Sequence, residues 1–497
     1  MRECERLGVV GPLDTDPHPA FRIYSAGNFG EVAPERLSPF SWSLVGTPME
    51  AATRRLTEKM WGARSWTTGE HYTFLGYFKC RPYHNYSAYA QIAASVPGVT
   101  ADDVGLAYFE GIPAPASFGA LAENKINQMR GVVRMGREIA LAVVRIRNLE
   151  ERLVDLEARI VLADAYSASS LAREAATLIR SCWYEHILST TSLVPLARYQ
   201  DKVLERVCDQ PDDVIALLTR PSELVWKRLH RLAVTGETNS AEFLHYPFYE
   251  VAHQHSIWTK YSYRHQVEAE GTERYESFLA PADALAGMYQ GARYRVMAGV
   301  TKTVAETMAC REHSKSLVMR VLHVFRTLAP LVASERAVPE DLWPFLTVGE
   351  LLDDVKGVLA DTAAERAELC QEALTVGLPE NIEITGDGEI FEPLAAAVRV
   401  QPRGVSGGFA SGIAVRPDED VPDEDFVIVC EAADADVVPL LRFAAGAVSR
   451  RGSAMSHLAI LCREYGIPCI VGADIEAIPS GVVIAIDGGT GKVKIHD

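Results

Sequence analysis

Residues 449–472 constrain this chain more than any other stretch. They read Ser-Arg-Arg-Gly-Ser-Ala-Met-Ser-His-Leu-Ala-Ile-Leu-Cys-Arg-Glu-Tyr-Gly-Ile-Pro-Cys-Ile-Val-Gly. The pattern is a strand end, a small-residue turn, a short helix, a glycine stop and a second strand. Gly452 and Ser453 keep the turn open, Ser456 stands at the N-cap position, and Gly466 with Pro468 marks the helix exit. His457 therefore falls in the first helical turn, beside backbone N–H groups that have no helical partner, where a phosphoryl group is electrostatically favoured. An imidazole placed there can serve as a covalent carrier, taking phosphate on a ring nitrogen and passing it on. The competing reading is a buried histidine that caps a structural helix.

The segment resembles the swivelling phosphohistidine domain of phosphoenolpyruvate-utilising enzymes, among them phosphoenolpyruvate synthase, pyruvate phosphate dikinase and rifampicin phosphotransferase. Their pattern is roughly Gly-Gly-x-x-Ser/Thr-His-x-Ala-Ile-x-x-Arg-Glu-x-Gly-Ile-Pro; here Ser453 stands where the second glycine is expected. Gly404-Val405-Ser406-Gly407-Gly408, continuing to Gly412, is similar to that domain's opening turn, and Asp487-Gly488-Gly489-Thr490-Gly491-Lys492-Val493 to its closing hairpin. The resemblance implies a small α/β swivelling domain over residues 404–497, with His457 as carrier and Gly452 and Ser456 framing the phosphate.

A chain of 497 residues exceeds one hydrophobic core, so two or three domains are expected. The net charge of −17 argues against non-specific binding to nucleic acid or an anionic membrane. No basic and apolar leader is apparent, and no apolar run reads as long enough to span a bilayer. The nine cysteines are scattered without a CxxC pair, as in a reducing cytoplasm, which is the expected location.

Residues 1–115 read as irregular and aromatic-rich, and the prolines around Leu37-Ser38-Pro39-Phe40-Ser41-Trp42-Ser43 argue against a continuous helix. The stretch from Tyr77 to Tyr86 alternates like a strand and ends in Tyr83-His84-Asn85-Tyr86. Helical periodicity dominates residues 118–221 and 281–337, predicting long helices, with a further helix around 360–375. The charge run 150–159 suits a solvated helix face. His245, His253, His255 and His265 cluster without any metal-ligand spacing, so no metal site is expected. Gly488-Gly489-Thr490-Gly491-Lys492 lacks the spacing of a phosphate-binding loop and reads as a hairpin turn.

A second chemical cluster is Arg311-Glu312-His313-Ser314-Lys315. Arg311 and Lys315, four apart, share a helix face, with Glu312 beside them. Two cations on a rigid helix suit a phosphoryl group in transit, and a carboxylate among them could take a hydroxyl proton. Spacing alone leaves a surface ion-pair triplet equally open.

The family resemblance extends over these regions. The N-terminal segments resemble the start of the substrate domain of rifampicin phosphotransferase and its relatives, as does Tyr263-Arg264-His265-Gln266-Val267-Glu268-Ala269-Glu270, where Tyr263 replaces the usual histidine. That family has an Arg-Glu-x-x-Lys helix lining its transfer pocket, which implies catalytic roles for Arg311, Glu312 and Lys315, and pocket roles for Arg264, Glu268 and Glu270. Trp42, Tyr83, Asn85 and Tyr86 are further pocket candidates, suited to a flat or apolar molecule or equally to a core.

The expected fold class is multidomain: a mainly α-helical acceptor-binding domain over 1–385, a linker over 386–403, and the α/β swivelling domain. An ATP-grasp module, which relatives place ahead of the substrate domain, has no room before Asn28. The resemblance therefore implies an ATP-grasp partner that uses ATP and Mg2+ to load His457, much as phenylphosphate synthase divides these roles between subunits. The acceptor is expected to be a small organic molecule bearing a hydroxyl. A dehydratase that expels the phosphate, and a non-catalytic binding module, remain open beside this phosphotransferase.

Overall fold

A computed structural model of the chain describes residues 4–29, 32–33, 36–62, 72–109, 125–207, 249–252, 292–353, 359–393, 402–432, 437–441, 443–452 and 456–496. The N-terminal region is built on a six-stranded antiparallel sheet in the order β1-β6-β5-β2-β4-β3, where β1 is Cys4–Val9, β2 Ile23–Ser25, β3 Leu75–Phe78, β4 Arg81–Asn85, β5 Asn381–Ile384 and β6 Glu389–Pro393. β3 and β4 form a hairpin whose two turn residues, Lys79 and Cys80, have φ of 50° and 62°. That left-handed pair matches the twist of the flanking strands.

Two expectations are corrected here. Residues 1–115 are not irregular: besides strands they contain α1, Pro39–Trp61. Ser38 caps it by accepting from the Ser41 backbone N–H, Pro39 occupies the first turn, where no amide hydrogen bond is lost, and the helix runs on through Pro48. Residues 386–393, expected in the linker, instead form a turn and strand β6, which pairs with β1 and β5. The linker expectation then narrows to the stretch beyond Pro393, where 394–401 lie outside the described residues.

After α2 (Tyr86–Ala93) and α3 (Ala101–Tyr108) come the predicted long helices: α4, Lys125–Ile160; α5, Ala165–Val207; and α6, Ala292–Glu335. They pack through Leu149, Leu153 and Leu156 of α4, Leu178, Cys182 and Trp183 of α5, and Leu317, Val321 and Phe325 of α6, all buried. The 150–159 charge run is partly a helix–helix seam. Arg320 on α6 donates from Nε to Glu157 at 2.8 Å and pairs with Glu150 at 3.4 Å, while Arg159 keeps the i,i+4 contact to Asp155 at 3.0 Å. The span Lys302–Glu335 is long and apolar enough to cross a bilayer, contrary to the sequence reading, but 72% of its most apolar window is buried inside the molecule. It is a core helix of the bundle. Two shorter helices, α7 (Val348–Leu352) and α8 (Leu359–Leu374), lead back to β5.

The C-terminal domain is a seven-stranded sheet in the order β13-β12-β8-β9-β10-β11-β7: β7 Arg403–Ser406, β8 Phe409–Val415, β9 Phe426–Cys430, β10 Gly446–Ser449, β11 Cys469–Val471, β12 Val483–Asp487 and β13 Lys492–Ile495. β8, β9, β10 and β11 are parallel neighbours, with antiparallel strands on both flanks. The short α9 (Val437–Leu440) precedes β10, and α10 (His457–Tyr465) is the crossover between β10 and β11. Val427, Val429, Val448, Ile470, Ile484 and Ile486 fill one face of the sheet as a core of their own. The opening turn and closing hairpin meet: a Cβ on Gly404 would sit 2.0 Å from the Gly488 carbonyl oxygen, and one on Gly488 2.0 Å from that of Ser406. Only glycine allows backbones this close.

Candidate functional site

His457 is the first residue of α10. Ser456 at the N-cap has extended backbone angles (φ −65°, ψ 156°), and its hydroxyl accepts from the Ala459 backbone N–H at 3.4 Å. Gly466, at φ 66°, ends the helix in the left-handed conformation. The approach to His457 is pinned by the backbone. The N–H groups of Arg450 and Arg451 donate to the carbonyls of Cys430 and Glu431 at 3.0 and 2.7 Å, and the Ser449 hydroxyl donates to the Arg451 carbonyl at 2.8 Å. Gly452 has φ 136°, and a Cβ there would lie 3.2 Å from the Ser456 hydroxyl. The chain thus leaves the C-terminal end of a parallel strand and re-enters at a helix N-terminus, a place where backbone N–H groups favour an anion. Arg450 pairs with Glu476 at 2.6 Å and Glu431 at 3.1 Å, and Arg451 reaches Glu380 in the N-terminal region at 3.7 Å.

In the helical region, α6 carries Arg311, Glu312 and Lys315, and all three are buried (7, 1 and 5% exposed). They are not the surface ion-pair triplet that spacing alone left open. Arg311 Nη1 lies 3.1 Å from Glu312 Oε1. Among the described residues nothing hydrogen-bonds either Glu312 carboxylate oxygen or Arg311 Nε. Buried polar atoms in this state are costly unless something completes them, and such atoms concentrate at sites that receive a ligand.

His186 of α5 packs against the same turn of α6. Its Nδ1 lies 3.3 Å from the Arg311 carbonyl oxygen. A carbonyl can only accept, so Nδ1 carries the proton and Nε2 keeps its lone pair. Burial, with the Arg311 and Lys315 charges adding to it, lowers the His186 pKa to about 3, so the ring is neutral. Sequence reasoning missed this residue: one histidine in an Ala- and Leu-rich helix carries no signal of its own, and its partner is 125 residues away.

His186 also forms part of the wall of a cavity of about 90 Å3 between the N-terminal region and α4 and α5. The wall is mostly apolar, with Phe29, Trp61, Phe109 and Met135 prominent, and His84 opposite. His84 stacks on Phe29 with ring centroids 4.4 Å apart, and burial drives its pKa to about 3.

The aromatic pocket candidates serve the core instead. Trp42 stacks on Tyr77 at 4.8 Å and lies across Gly46; Tyr83 is fully buried, with its hydroxyl donating to the Pro379 carbonyl at 2.8 Å; Tyr86 is fully buried against Phe109. Asn85 caps α2, its side chain accepting from the Ala88 N–H at 3.2 Å and donating to the Phe21 carbonyl at 3.0 Å. None of the four is on the cavity wall. Arg264, Glu268 and Glu270, and the four clustered histidines, lie outside the described residues. Among the described residues, no group of His, Cys, Asp or Glu could hold a metal ion.

Comparison with known proteins bears on the C-terminal domain. Residues 422–491 match the family model described as PEP-utilising enzyme, mobile domain. The match shows the mobile domain of phosphoenolpyruvate-utilising enzymes over those residues. It is 29% identical over 178 residues to a probable phosphoenolpyruvate synthase of Archaeoglobus fulgidus, covering 33% of this chain and 23% of that protein. It is 29% identical over 215 residues to an uncharacterised protein of Mycobacterium tuberculosis, covering 39% of this chain and 24% of that one. A probable phosphoenolpyruvate synthase of Staphylothermus marinus is 42% identical over 72 residues, 14% of this chain and 9% of that protein. The chain thus spans a quarter or less of these relatives. Among solved structures, the N-terminal domain of Enzyme 1 - Nitrogen overlaps 45% of this chain and 74% of its own at a TM-score of 0.16 and 17% identity, too loose an overlap to inform the fold.

Proposed function

We propose that this chain is the acceptor-binding and phosphohistidine component of a phosphotransferase. An ATP-grasp partner, using ATP and Mg2+, loads a ring nitrogen of His457; the mobile domain then delivers the phosphoryl group to a hydroxyl of a small organic acceptor held by the helical domain. In the transfer, the N–P bond breaks as the O–P bond forms. Arg311 and Lys315 stabilise charge on the equatorial oxygens, and Glu312 receives the hydroxyl proton. The observation that supports this most directly is His457 at the first position of α10 inside the matched mobile domain. The buried Arg311–Glu312 pair with unsatisfied atoms supports the acceptor side. Arg264, Glu268 and Glu270 are assigned to the acceptor pocket, and the cytoplasm is the expected location.

The test is phosphate incorporation from labelled ATP into the purified chain, alone and with an ATP-grasp protein, with His457→Ala as control. Acid-labile, base-stable label that needs both the partner and His457 is the expected result. Label that persists in His457→Ala, or no label on the folded wild-type chain with any ATP-grasp protein encoded beside it, overturns the reading.

A further inference from the structure

The cavity bounded by α4, α5 and the N-terminal region is apolar, contains no charged side chain among its described wall residues, and shares His186 with the turn of α6 that carries Arg311. Its volume of about 90 Å3 is of the order of the cavities that accept one small ring, which stay dry and take apolar ligands. An ion entering it would lose its hydration with no opposite charge among the described wall residues to replace it.

The wall also carries the polar side chains of His84, Thr190 and Thr191, and of its polar groups His186 is the one tied to the Arg311 turn. His186 is 8% exposed, its Nδ1–H is committed to the Arg311 carbonyl, and among the described residues nothing hydrogen-bonds its Nε2. Nε2 is therefore a hydrogen-bond acceptor at the wall of a mostly apolar chamber, and it prefers a ligand that brings one donor. Pockets that combine an apolar wall with a few fixed polar groups orient their ligands this way.

We propose that this cavity binds a small, uncharged, apolar ring compound through one hydroxyl, which donates its hydrogen to His186 Nε2. The inference rests on the phosphotransfer reading only in calling that ligand the acceptor. It assigns to His186 a ligand-binding role and sets the class of ligand for the described wall: one hydroxyl, no carboxylate or ammonium, about one ring in size. The wall aromatics and Met135 supply contact area, while the His186 acceptor helps tell a hydroxylated ring from the bare hydrocarbon.

Binding is measured calorimetrically on the unphosphorylated full chain with three probes of one shape: p-cresol, toluene and p-toluate. The wild type is expected to bind p-cresol roughly tenfold more tightly than toluene, the worth of one buried hydrogen bond, and p-toluate not measurably. His186→Asn places an amide N–H where Nδ1–H was, keeping the bond to the Arg311 carbonyl, and removes Nε2, its own Oδ1 falling where the ring carbon Cδ2 was. It is expected to bind the two neutral probes equally, at the affinity of the wild type for toluene. Ala93→Phe, which fills the chamber, should abolish binding of both.

Equal affinity of the wild type for p-cresol and toluene, an unchanged preference in His186→Asn, or comparable binding of p-toluate overturns the proposal. Should His186→Asn lose its fold by circular dichroism, the wild-type ranking of the three probes and the Ala93→Phe result still decide it. No step here involves His457, so failure of the carrier reading leaves the binding result standing, and failure of binding leaves the carrier reading untouched.

Discussion

Ser41 and Glu250 are locked together across 209 residues of chain. The Ser41 hydroxyl donates to Glu250 Oε1 at 2.7 Å and in return accepts from the Val251 N–H at 2.8 Å. Glu250 also accepts from the Ser38 N–H and hydroxyl at 2.7 and 2.9 Å, so its carboxylate sits on the exposed amides at the start of α1. Removing it strips several charge-assisted bonds at once. Glu250→Ala should cost about 2–3 kcal/mol, read as a fall in the urea midpoint at unchanged m-value, whereas Ser41→Ala should cost about 1 kcal/mol.

In the mobile domain, Gly488→Ala forces a methyl group to 2.0 Å from the Ser406 carbonyl oxygen, a backbone atom that cannot turn aside. The turn before β13 must then leave β7. Amide exchange should lose protection in β7 and β12 but keep it in α5 and α6. Equal protection in variant and parent would show that the hairpin has room the geometry denies it.

His84 and His186 both titrate in the folded protein at about 3, chiefly because burial disfavours their charged forms. Unfolded histidine binds a proton near pH 6.5, so between these values the unfolded chain holds the extra protons. Stability is full above pH 6.5 and declines as pH falls towards 3, by about 1.4 kcal/mol per histidine for each pH unit. Denaturant titrations at pH 7, 6 and 5 measure the slope, and His84→Phe should flatten it by one histidine's share.

Glu312→Gln keeps shape and burial but removes the carboxylate. With labelled His457 in hand, phosphate loading of the carrier should match the wild type while single-turnover transfer to the acceptor slows about 10²–10⁴-fold. Arg311→Lys, which loses the guanidinium that reaches Glu312 at 3.1 Å, should also slow transfer with loading intact. A defect in loading in either variant would place these residues on the wrong half of the reaction.

The features legible in the sequence are local ones. Ser456, His457 and Gly466 declare their helix within ten residues, because capping and left-handed termination are decided by neighbours. The long helices announce themselves by period. Features that escaped depend on distant partners. Residues 389–393 read as linker because the strand that claims them, β1, lies near the other end of the chain. The prolines around Leu37–Ser43 read as breakers, yet Pro39 opens α1, and packing around Val45, Met49 and Ala52 carries the helix on through Pro48. Trp42 and Tyr83 read equally as pocket or core; burial settled them in the core, while the cavity wall went to Phe29, Trp61 and Phe109.

The pairing of β6 with β1 has a mechanical corollary. Strand β6 ends at Pro393 and β7 begins at Arg403, so ten peptide links join the N-terminal sheet to the mobile domain, a leash that covalent geometry limits to about 35 Å. The mooring post is the β1–β6 ladder itself, held by Glu5 opposite Glu392 and Val9 opposite Glu389. Loosening β1 would unzip β6 and lengthen the tether, so in a swivelling cycle β1 would set the reach of the C-terminal domain.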